Sequence, residues 1–389
     1  MKHFDEAATA APLGFEQLVP ALRAAFAAEA QVPPRHVHSI ETGGDAATRG
    51  TVLIMPAWSD AGFLGIKTIN IFPGNGARGL PGLHATYVLY DARTGVPLAM
   101  MDGNEITARR TAAASALGAS FLARTDARKL LVLGTGRIAR MLPAAHASVR
   151  PIDEVWVWNH RPEGAEALAE QWRAEGWNAQ AAGTDLEAAV RNADIVSCAT
   201  LATTPLVRGE WLAPGAHLDL IGSFTPAMRE ADVQCFDGTR TFIDTPEALQ
   251  KAGDLLDAIA AGTLRADAVQ GTLAELCRGA RPGRTGDAER TVFKAVGSAL
   301  EDLSAATLVW QGRMPPEAHA ARHQGQNVTF ADSQIVRPAG VVPATDAPPW
   351  KYSLTQAEVP ARFTCWNLRK SLLNRLLMLA FRRTFFDTW

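Results

Sequence analysis

Two cationic side chains of this sequence lie where a charge is hard to keep without a partner. Lys67 falls within the segment Phe63–Ile71, where the two-residue alternation of a strand places it on one face with Gly65 and apolar neighbours. A lysine enclosed by apolar side chains is costly unless an anion pairs with it. We expect a small carboxylate to bind there, in the space that Gly65 leaves. The alternative is a lysine that reaches water along a sheet edge.

Arg110 is the second candidate cation, in an alanine-rich segment that predicts a helix from about residue 105 to 123. Arg109 follows Glu105 by four residues, which predicts an ion pair along one face of that helix. Arg110 points elsewhere, among side chains too small to enclose it, and its planar guanidinium can hold a carboxylate through two parallel hydrogen bonds. Arg35 is a third candidate cation.

A glycine motif supplies different chemistry. The apolar run 130–133 leads into Gly134-Thr135-Gly136 and then into a helix-compatible segment with Ala139 near its start. Gly134 permits a tight turn, Gly136 lets a pyrophosphate approach the backbone, and Ala139 is small enough for helix and strand to pack closely. The order of strand, glycine turn and helix predicts a dinucleotide-binding site, in which unpaired N–H groups at the helix start face the phosphates.

The residues after the next strand indicate which dinucleotide would bind. That strand, 155–158, ends at Asn159, and Arg161 follows. Sites that prefer NAD usually place a carboxylate there to bond the ribose 2′-hydroxyl, whereas an arginine can meet a 2′-phosphate. We therefore predict NADPH as the cofactor, with NADH as a second one. The alternative explanation of the glycine motif and of Arg161 is an ordinary strand–turn–helix unit with a surface arginine.

A later strand leads to a predicted catalytic position. The segment Asp219-Leu220-Ile221 breaks at Gly222, at the carboxyl end of a predicted parallel sheet, where such folds place their chemistry. Ser223 is expected to face both nicotinamide and substrate, as a hydrogen-bonding group without a charge. The remaining predicted cofactor contacts are Thr111, Thr135, Arg137, Ile138, Thr200 and Gly222.

Composition bounds the class of protein. The chain has 389 residues, of which 47% are hydrophobic and 20% charged, and its net charge is −2. This balance is typical of a globular protein large enough for two domains, and it gives no reason to expect nucleic acid as a partner. The four cysteines show no paired spacing, the N-terminus lacks a signal peptide's apolar stretch, and no apolar run is long enough to span a bilayer. We expect a cytoplasmic protein without a membrane span and, because no metal-binding His or Cys pattern occurs, without a metal site.

The predicted elements divide the chain into two domains and an extension. A helix and two hairpins precede residue 105, whereas strands and helices alternate after residue 125, as in a parallel sheet. From about Thr291 the pattern predicts a last helix that reaches about Trp310. We therefore predict an α/β protein in which a Rossmann-type doubly wound parallel sheet, residues 126–289, is inserted into an α+β substrate-binding and dimerisation domain, residues 1–125 and 290–313. We assign residues 314–389 to a C-terminal extension. Its last segment is either a basic amphipathic helix that binds a membrane surface or a partner, or a segment without a role.

These segments together resemble the ornithine cyclodeaminase/mu-crystallin family over about residues 15 to 312. The motifs that carry the resemblance recur in order: Gly65-Ile66-Lys67, Thr107-Ala108-Arg109-Arg110-Thr111-Ala112-Ala113, Gly134-Thr135-Gly136, Ala193-Asp194-Ile195-Val196, the Gly222 segment, Ala252-Gly253-Asp254-Leu255 and Thr291-Val292-Phe293-Lys294-Ala295-Val296-Gly297. The resemblance implies a homodimer whose substrate domain holds a carboxylate at the Lys67 and Arg110 positions, joined by Arg35.

The resemblance also implies a branch of that family. Members that cyclise ornithine carry an aspartate where this chain has Ser223, and serine cannot replace its charge. The segment from Gly222 to Glu230 resembles the Δ1-pyrroline-2-carboxylate reductases, although Gly82 stands where many relatives have a small hydroxyl residue near the nicotinamide. We therefore predict that NADPH reduces cyclic ketimine acids, Δ1-pyrroline-2-carboxylate to L-proline and Δ1-piperideine-2-carboxylate to L-pipecolate. The alternatives are an NAD-dependent ornithine cyclodeaminase, a non-catalytic mu-crystallin-like binder of NADPH and a hydrophobic ligand, and an alanine dehydrogenase acting on an open-chain oxo acid.

Overall fold

The computed structural model describes residues 1–41 and 49–312. Within these ranges the strands form two sheets, one of seven strands and one of eight. No helix in the described ranges has the length and apolar character needed to cross a bilayer. The predicted C-terminal extension, residues 314–389, lies outside the described residues.

The first sheet is built from the predicted hairpins. Its order is β1-β7-β6-β5-β4-β2, with β3 also paired to β4, and all its pairs are antiparallel except β1 with β7. One face packs on helices while the other stays partly exposed, which is why its strands alternate in burial. The strands are β1 Lys2–Phe4, β2 Ala30–Gln31, β3 His36–Ile40, β4 Gly50–Ser59, β5 Phe63–Ile71, β6 Leu83–Asp91 and β7 Pro97–Asp102.

The second sheet is parallel throughout and confirms the predicted Rossmann-type fold. Its order is β10-β9-β8-β11-β12-β15-β13-β14, so the strand order reverses between β8 and β11. In such sheets a dinucleotide binds at the carboxyl ends of the strands beside that reversal. The strands are β8 Lys129–Leu133, β9 Glu154–Trp158, β10 Ala179–Ala181, β11 Ile195–Cys198, β12 His217–Leu220, β13 Arg240–Ile243, β14 Gly271–Thr272 and β15 Thr291–Lys294.

One helix belongs to the cores of both sheets. Helix α3 begins after Asp102, whose side chain accepts a hydrogen bond from the backbone N–H of Glu105, and its small residues let both sheets approach. A Cβ at Gly118 would lie 2.7 Å from the ring of Phe293 in β15, so glycine is required for that contact. The helices are α1 Glu6–Ala10, α2 Phe15–Ala27, α3 Gly103–Leu122, α4 Arg137–Ala147, α5 Pro162–Ala174, α6 Leu186–Asn192, α7 Ala248–Lys251, α8 Gly253–Ala261, α9 Leu273–Cys277 and α10 Ala299–Gln311.

The returning segment differs from its prediction. Residues Thr291–Lys294 form a buried strand between β12 and β13, and the helix α10 begins only at Ala299. A segment of only four residues has no period that separates strand from helix, so the sequence pattern was ambiguous there. The parallel sheet therefore extends beyond residue 290, and the division into domains at the predicted boundaries stays a prediction.

Candidate active site

Lys67 lies in β5 with its side chain fully buried, and it has an internal partner. Its Nζ donates to Asp302 of α10 at 2.7 Å and to the Oγ1 of Thr107 in α3 at 3.2 Å. The alternative of a lysine that reaches water along a sheet edge is therefore excluded, because β5 is an interior strand and Lys67 faces the helices.

Arg110 approaches the same carboxylate from α3. Its Nε donates to Asp302 Oδ1 at 2.9 Å, and its Nη1 donates to Glu301 Oε2 at 2.7 Å. The three partners Arg110, Glu301 and Asp302 are almost completely buried. Asp302 thus bridges the two predicted cations, and α10 supplies two carboxyl groups as their partners.

Burial and mutual attraction shift the pKa values of this cluster in opposite directions. Burial lowers the pKa of Lys67 to about 8, and Arg110 adds to that effect while Asp302 opposes it. For Arg110 burial also disfavours the cation, but Asp302 and Glu301 outweigh it and raise the pKa. Burial raises the pKa of Glu301 to about 7, which Arg110 opposes and Asp244 reinforces. At pH 7 Lys67 and Arg110 are therefore mostly charged, whereas Glu301 is about half protonated.

Arg35 joins the cluster through the loop between β15 and α10. Its Nη2 donates to the carbonyl oxygen of Gly297 at 2.8 Å. Gly297 has φ +81, and a Cβ there would lie 2.6 Å from Nη1 of Arg110. Asp244, after β13, accepts hydrogen bonds from the N–H groups of Val296 and Gly297 at 2.7 and 2.6 Å. The loop therefore lies between two of the three predicted cations, Arg35 and Arg110.

The space expected beside Gly65 is filled, which corrects that prediction. A Cβ at Gly65 would lie 1.7 Å from the phenol oxygen of Tyr87, the residue paired with Lys67 in the neighbouring strand. The Tyr87 side chain is buried, and its oxygen has no hydrogen-bond partner among the described residues. Gly65 accommodates a tyrosine ring rather than a ligand.

The glycine turn has the geometry predicted for a dinucleotide site. Gly134 follows β8 with φ +107, and a Cβ there would lie 2.5 Å from the carbonyl oxygen of Ala199. Gly136 is the N-cap of α4, has no side-chain cap, and would present a Cβ with no neighbour within 4 Å. The start of α4 thus offers backbone N–H groups and open space, which fit a pyrophosphate. Thr135 and Ile138, the other predicted contacts of this turn, are partly buried beside it.

The first turns of α3 connect the cation cluster to this glycine turn. Arg137, the first residue of α4, donates to Glu105 Oε1 at 3.2 Å, and Arg109 donates to Glu105 Oε2 at 2.9 Å. The predicted Arg109–Glu105 pair is thus present, with Arg137 as an additional partner. Thr111 is buried and donates to the carbonyl oxygen of Thr107 at 2.7 Å.

Asn159 and Arg161 lie at the carboxyl end of β9, where a ribose-reading residue was predicted. The Asn159 amide donates to the carbonyl oxygen of Arg161 at 3.2 Å, and Arg161 is the exposed N-cap residue of α5. A Cβ at Gly164 in α5 would lie 2.8 Å from that amide and 3.5 Å from Thr135 Oγ1. The start of α5 therefore packs closely on Asn159 and Thr135, two of the predicted cofactor contacts.

Ser223 does not face an open site, which corrects its predicted orientation. It is fully buried with φ 53, its hydroxyl donates to the carbonyl oxygen of Met228 at 2.6 Å, and it accepts from the N–H of Asp254 at 3.1 Å. The break after β12 turns the side chain into the domain interior. Its hydroxyl therefore braces the start of α8.

Thr200 and Gly222, the other two predicted contacts, meet at a side chain that the sequence analysis missed. Glu230 Oε1 accepts from the N–H of Thr200 at 2.7 Å and from its Oγ1 at 2.8 Å. A Cβ at Gly222 would lie 2.4 Å from the same carboxyl group, so this position requires glycine. In the described part of the chain, no cluster of His, Cys, Asp and Glu could hold a metal ion.

Comparison with known proteins decides the family. The ornithine cyclodeaminase/mu-crystallin family model matches residues 7–314 of this chain. The chain belongs to the ornithine cyclodeaminase/mu-crystallin family. This confirms the resemblance drawn from the motifs, and the match includes the parallel sheet, the first sheet except β1, and the cation cluster.

Several known proteins are similar to the chain in sequence or structure. A Δ1-pyrroline-2-carboxylate reductase of Paracoccus denitrificans is 42% identical over 263 residues, covering 67% of this chain and 83% of that relative. The structure of the Thermococcus litoralis Δ1-pyrroline-2-carboxylate reductase with NADH and L-proline superposes with TM-score 0.74 at 29% identity, covering 84% of this chain and 100% of that one. An archaeal alanine dehydrogenase dimer with bound NAD gives TM-score 0.72 at 27% identity, covering 85% of this chain and 99% of that one.

The residues that the sequence analysis missed are carboxylates and one phenol. Glu301 and Asp302 stand in the first turn of α10, where the capping box Ser298–Glu301 marks a helix start without showing what its acids contact. The spacing of Asp244, Glu230 and Tyr87 gave no signal, because their partners lie on other elements of the fold.

Proposed function

We propose that this chain is an NAD(P)H-dependent oxidoreductase that reduces the C=N bond of cyclic ketimine acids. The proposed substrates are Δ1-pyrroline-2-carboxylate, giving L-proline, and Δ1-piperideine-2-carboxylate, giving L-pipecolate. The observation that carries the proposal is the pair Lys67 and Arg110, buried together on Asp302 and joined through α3 to a dinucleotide turn. The names of the relatives in Paracoccus denitrificans and Thermococcus litoralis support the same substrate class.

In this proposal Lys67 and Arg110 bind the substrate carboxylate, with Arg35 beside them. An ammonium has three donors, and within the described residues Lys67 uses two of them on Thr107 and Asp302. A carboxylate can take the third, together with the outer N–H groups of Arg110. Because Glu301 and Asp302 offset much of the positive charge of the two cations, the site favours a ligand that carries a positive charge beside its carboxylate. A protonated ketimine has that charge on its ring nitrogen.

The proposed reaction needs a hydride and one proton. A reduced nicotinamide, when bound, supplies hydride to C2 of the ring. Because the ring nitrogen enters already protonated, the C=N π electrons become its lone pair and the product leaves as a secondary amine that water protonates. This chain's own residues fix the carboxylate and thereby the ring face, which is a positioning effect. Ser223 takes no part in the chemistry proposed, since its hydroxyl is engaged in the interior.

We propose NADPH as the preferred cofactor and NADH as an accepted one. Asn159 offers no carboxylate for the ribose 2′-hydroxyl, and Arg161 at the start of α5 can meet a 2′-phosphate. The two structural relatives were solved with NADH and with NAD, so the family fold accommodates the cofactor without the phosphate as well. The change Arg161→Ala is expected to raise the KM for NADPH more than that for NADH.

We also propose that the chain acts as a homodimer. Ile66 and Val88 on the outer face of the first sheet are only partly buried, and Trp58 on the same face is 40% exposed. A contiguous apolar sheet face of this kind suits a self-complementary interface. The archaeal relative was solved as a dimer. Light scattering coupled to gel filtration measures the mass in solution.

The decisive experiment follows the nicotinamide absorbance in the presence of each ketimine acid. NADPH consumption with formation of L-proline or L-pipecolate is the expected result. Ammonia release from L-ornithine without net cofactor consumption would show a cyclodeaminase instead, and consumption only with an open-chain oxo acid and ammonia would show an alanine dehydrogenase. Tight NADPH binding without turnover of any of these compounds would show a binding protein.

A further inference from the structure

A fully buried group of charges lies beneath the carboxyl ends of β11 and β12. Lys294 of β15 donates to the carbonyl oxygen of Leu220 at 3.1 Å and, by a shorter contact, to that of Gly222. Its Nζ is 3.5 Å from Asp254 Oδ2, and both side chains are fully buried. Asp254 Oδ1 in turn accepts from the N–H of Glu230 at 2.8 Å. These three side chains, Glu230, Asp254 and Lys294, form one cluster.

Glu230 is the member of the cluster that contacts Thr200, one of the predicted cofactor contacts. Its Oε1 accepts both hydrogen bonds of Thr200, from the backbone N–H at 2.7 Å and from Oγ1 at 2.8 Å. A Cβ at Gly222 would lie only 2.4 Å from the same carboxyl group. The carboxyl group therefore packs between the loop after β11, which contains Thr200, and the loop after β12, which contains Gly222. Its Oε2 has no hydrogen-bond partner among the described residues.

The position of these loops in the sheet says which part of a dinucleotide they would meet. In the proposed site the adenine ribose would lie after β9, on one side of β8. The strand order reverses on the other side, between β8 and β11. Thr200 follows β11 and Gly222 follows β12. A dinucleotide with its pyrophosphate at Gly136 would therefore extend its nicotinamide half toward Thr200 and Gly222.

We propose that Glu230 is a positioning residue for the nicotinamide half of the cofactor, acting through Thr200. This inference rests on the proposed cofactor. With Oε1 as acceptor, the N–H and hydroxyl of Thr200 are held below the site, and Lys294 holds the facing carbonyl of Gly222. The two loops thus present one fixed surface to the ring. Without the acceptor, two donors of Thr200 lose their partner and that loop is free to shift.

The charges around Glu230 fit this role. The titratable or charged groups that face it are Lys294 from β15, Asp254 from α8 and Cys198 from β11. Burial raises the pKa of Glu230 to about 8, Lys294 opposes that shift and Asp254 reinforces it. At neutral pH Glu230 is then mostly protonated, and a neutral acceptor on Thr200 suffices. Glutamine, which has the same shape and keeps an acceptor, is the conservative replacement.

The test compares binding of NADH with binding of ADP-ribose, which lacks the nicotinamide ring. We expect Glu230→Leu to weaken NADH binding about tenfold because two donors of the half-buried Thr200 lose their acceptor, while ADP-ribose affinity changes less than about twofold. Glu230→Gln is expected to stay within about threefold of the wild type for both ligands. The control is Asp232→Ala, two residues further along, which removes an acceptor of the backbone N–H groups of Gly209 and Cys235 and leaves the hydrogen bonds of Thr200 unchanged.

The outcomes separate positioning from general stability. Equal loss of NADH and ADP-ribose affinity in Glu230→Leu, or the same selective loss in Asp232→Ala, would overturn the proposal. If Glu230→Leu does not fold, Thr200→Val serves instead: selective weakening of NADH binding supports the proposal and unchanged binding overturns it. A wild type that binds NADH but reduces no ketimine would refute the proposed reaction and leave this binding comparison intact.

Discussion

Lys67 and Asp302 form a fully buried ion pair, 2.7 Å apart and separated by 235 residues of sequence. The pair joins a strand of the first sheet to the helix that follows the last strand of the second. Arg110 shares the same carboxylate at 2.9 Å. The cation cluster is therefore assembled by the closing segment of the described fold, and its geometry depends on how α10 is placed.

Removing the carboxylate from this pair should destabilise the protein. Asp302→Asn leaves Lys67 buried beside a weaker partner, and the free energy of unfolding should fall by about 3 kcal/mol. Urea denaturation at neutral pH measures it. The matched control is Asp267→Asn, which breaks an exposed pair with Arg265 and should leave stability unchanged. Equal effects of the two changes would contradict the importance assigned to burial.

Loss of either cation should damage substrate use and spare the cofactor. In Lys67→Met and Arg110→Met, kcat/KM for the ketimine should drop by about a hundredfold or more, because the carboxylate loses a charge-assisted contact. NADPH affinity, measured by fluorescence titration, should stay near the wild-type value. Arg109→Met is the control on the same helix, since Arg109 pairs with Glu105 instead. Unchanged kinetics in both variants would refute the assigned roles.

A single methyl group at Gly297 should displace the Arg110 guanidinium. The position has φ +81, and the added Cβ would lie 2.6 Å from Nη1. We expect Gly297→Ala to raise the KM for the ketimine about tenfold through that displacement. Gly262 is a matched control, since it has φ +76 and would place its Cβ within 4 Å of no other atom. Gly262→Ala carries the same backbone strain, so a comparable KM there would exclude the steric explanation.

Ligand binding should weaken as Lys67 loses its proton. Burial lowers its pKa to about 8, so affinity for an anionic inhibitor should decline as the pH rises through that value. Pyrrole-2-carboxylate suits the measurement because its ring nitrogen does not titrate in this range. Lys67→Arg keeps a cation throughout and should move the decline to higher pH. An identical profile in wild type and variant would assign the dependence to another group.

Glu230 should make stability fall with rising pH. Its folded pKa is about 8 and its ordinary value 4.5, so between these the folded state holds a proton that the unfolded chain has lost. The contribution of this proton to the free energy of unfolding is fully present below pH 4.5, the ordinary pKa. It is lost as the pH rises toward about 8, the pKa in the folded state. Relative to wild type, Glu230→Gln should gain about 1 kcal/mol per pH unit across that window. Urea unfolding of both proteins at several pH values measures the difference, and parallel curves would contradict the shift.

The sequence predicted the elements that have a strong local pattern. The hairpin around Ser59-Asp60-Ala61-Gly62 and the glycine turn after β8 carry their own geometry in neighbouring residues, and both are present. Lys67 and Arg110 could be singled out because a charge among apolar or small residues stands out locally. Their partners could not, because hydrophobic periodicity says which face a residue is on and nothing about what faces it from 191 or 235 residues away. The Ser223 orientation failed for the same reason, as Met228 and Asp254 determine it.

The shared helix α3 also bears on how small molecules enter and leave. Gly118 of α3 sits against Phe293 of the parallel sheet, while Thr107 in the same helix holds Lys67 of the antiparallel one. Two domains with separate hydrophobic cores can rotate relative to each other about a hinge. A helix such as α3 that is buried in both cores resists that rotation. Exchange of cofactor and product then depends on motion of loops and side chains. Substitutions in the loops should therefore change the turnover rate more than substitutions in the segments that link the sheets.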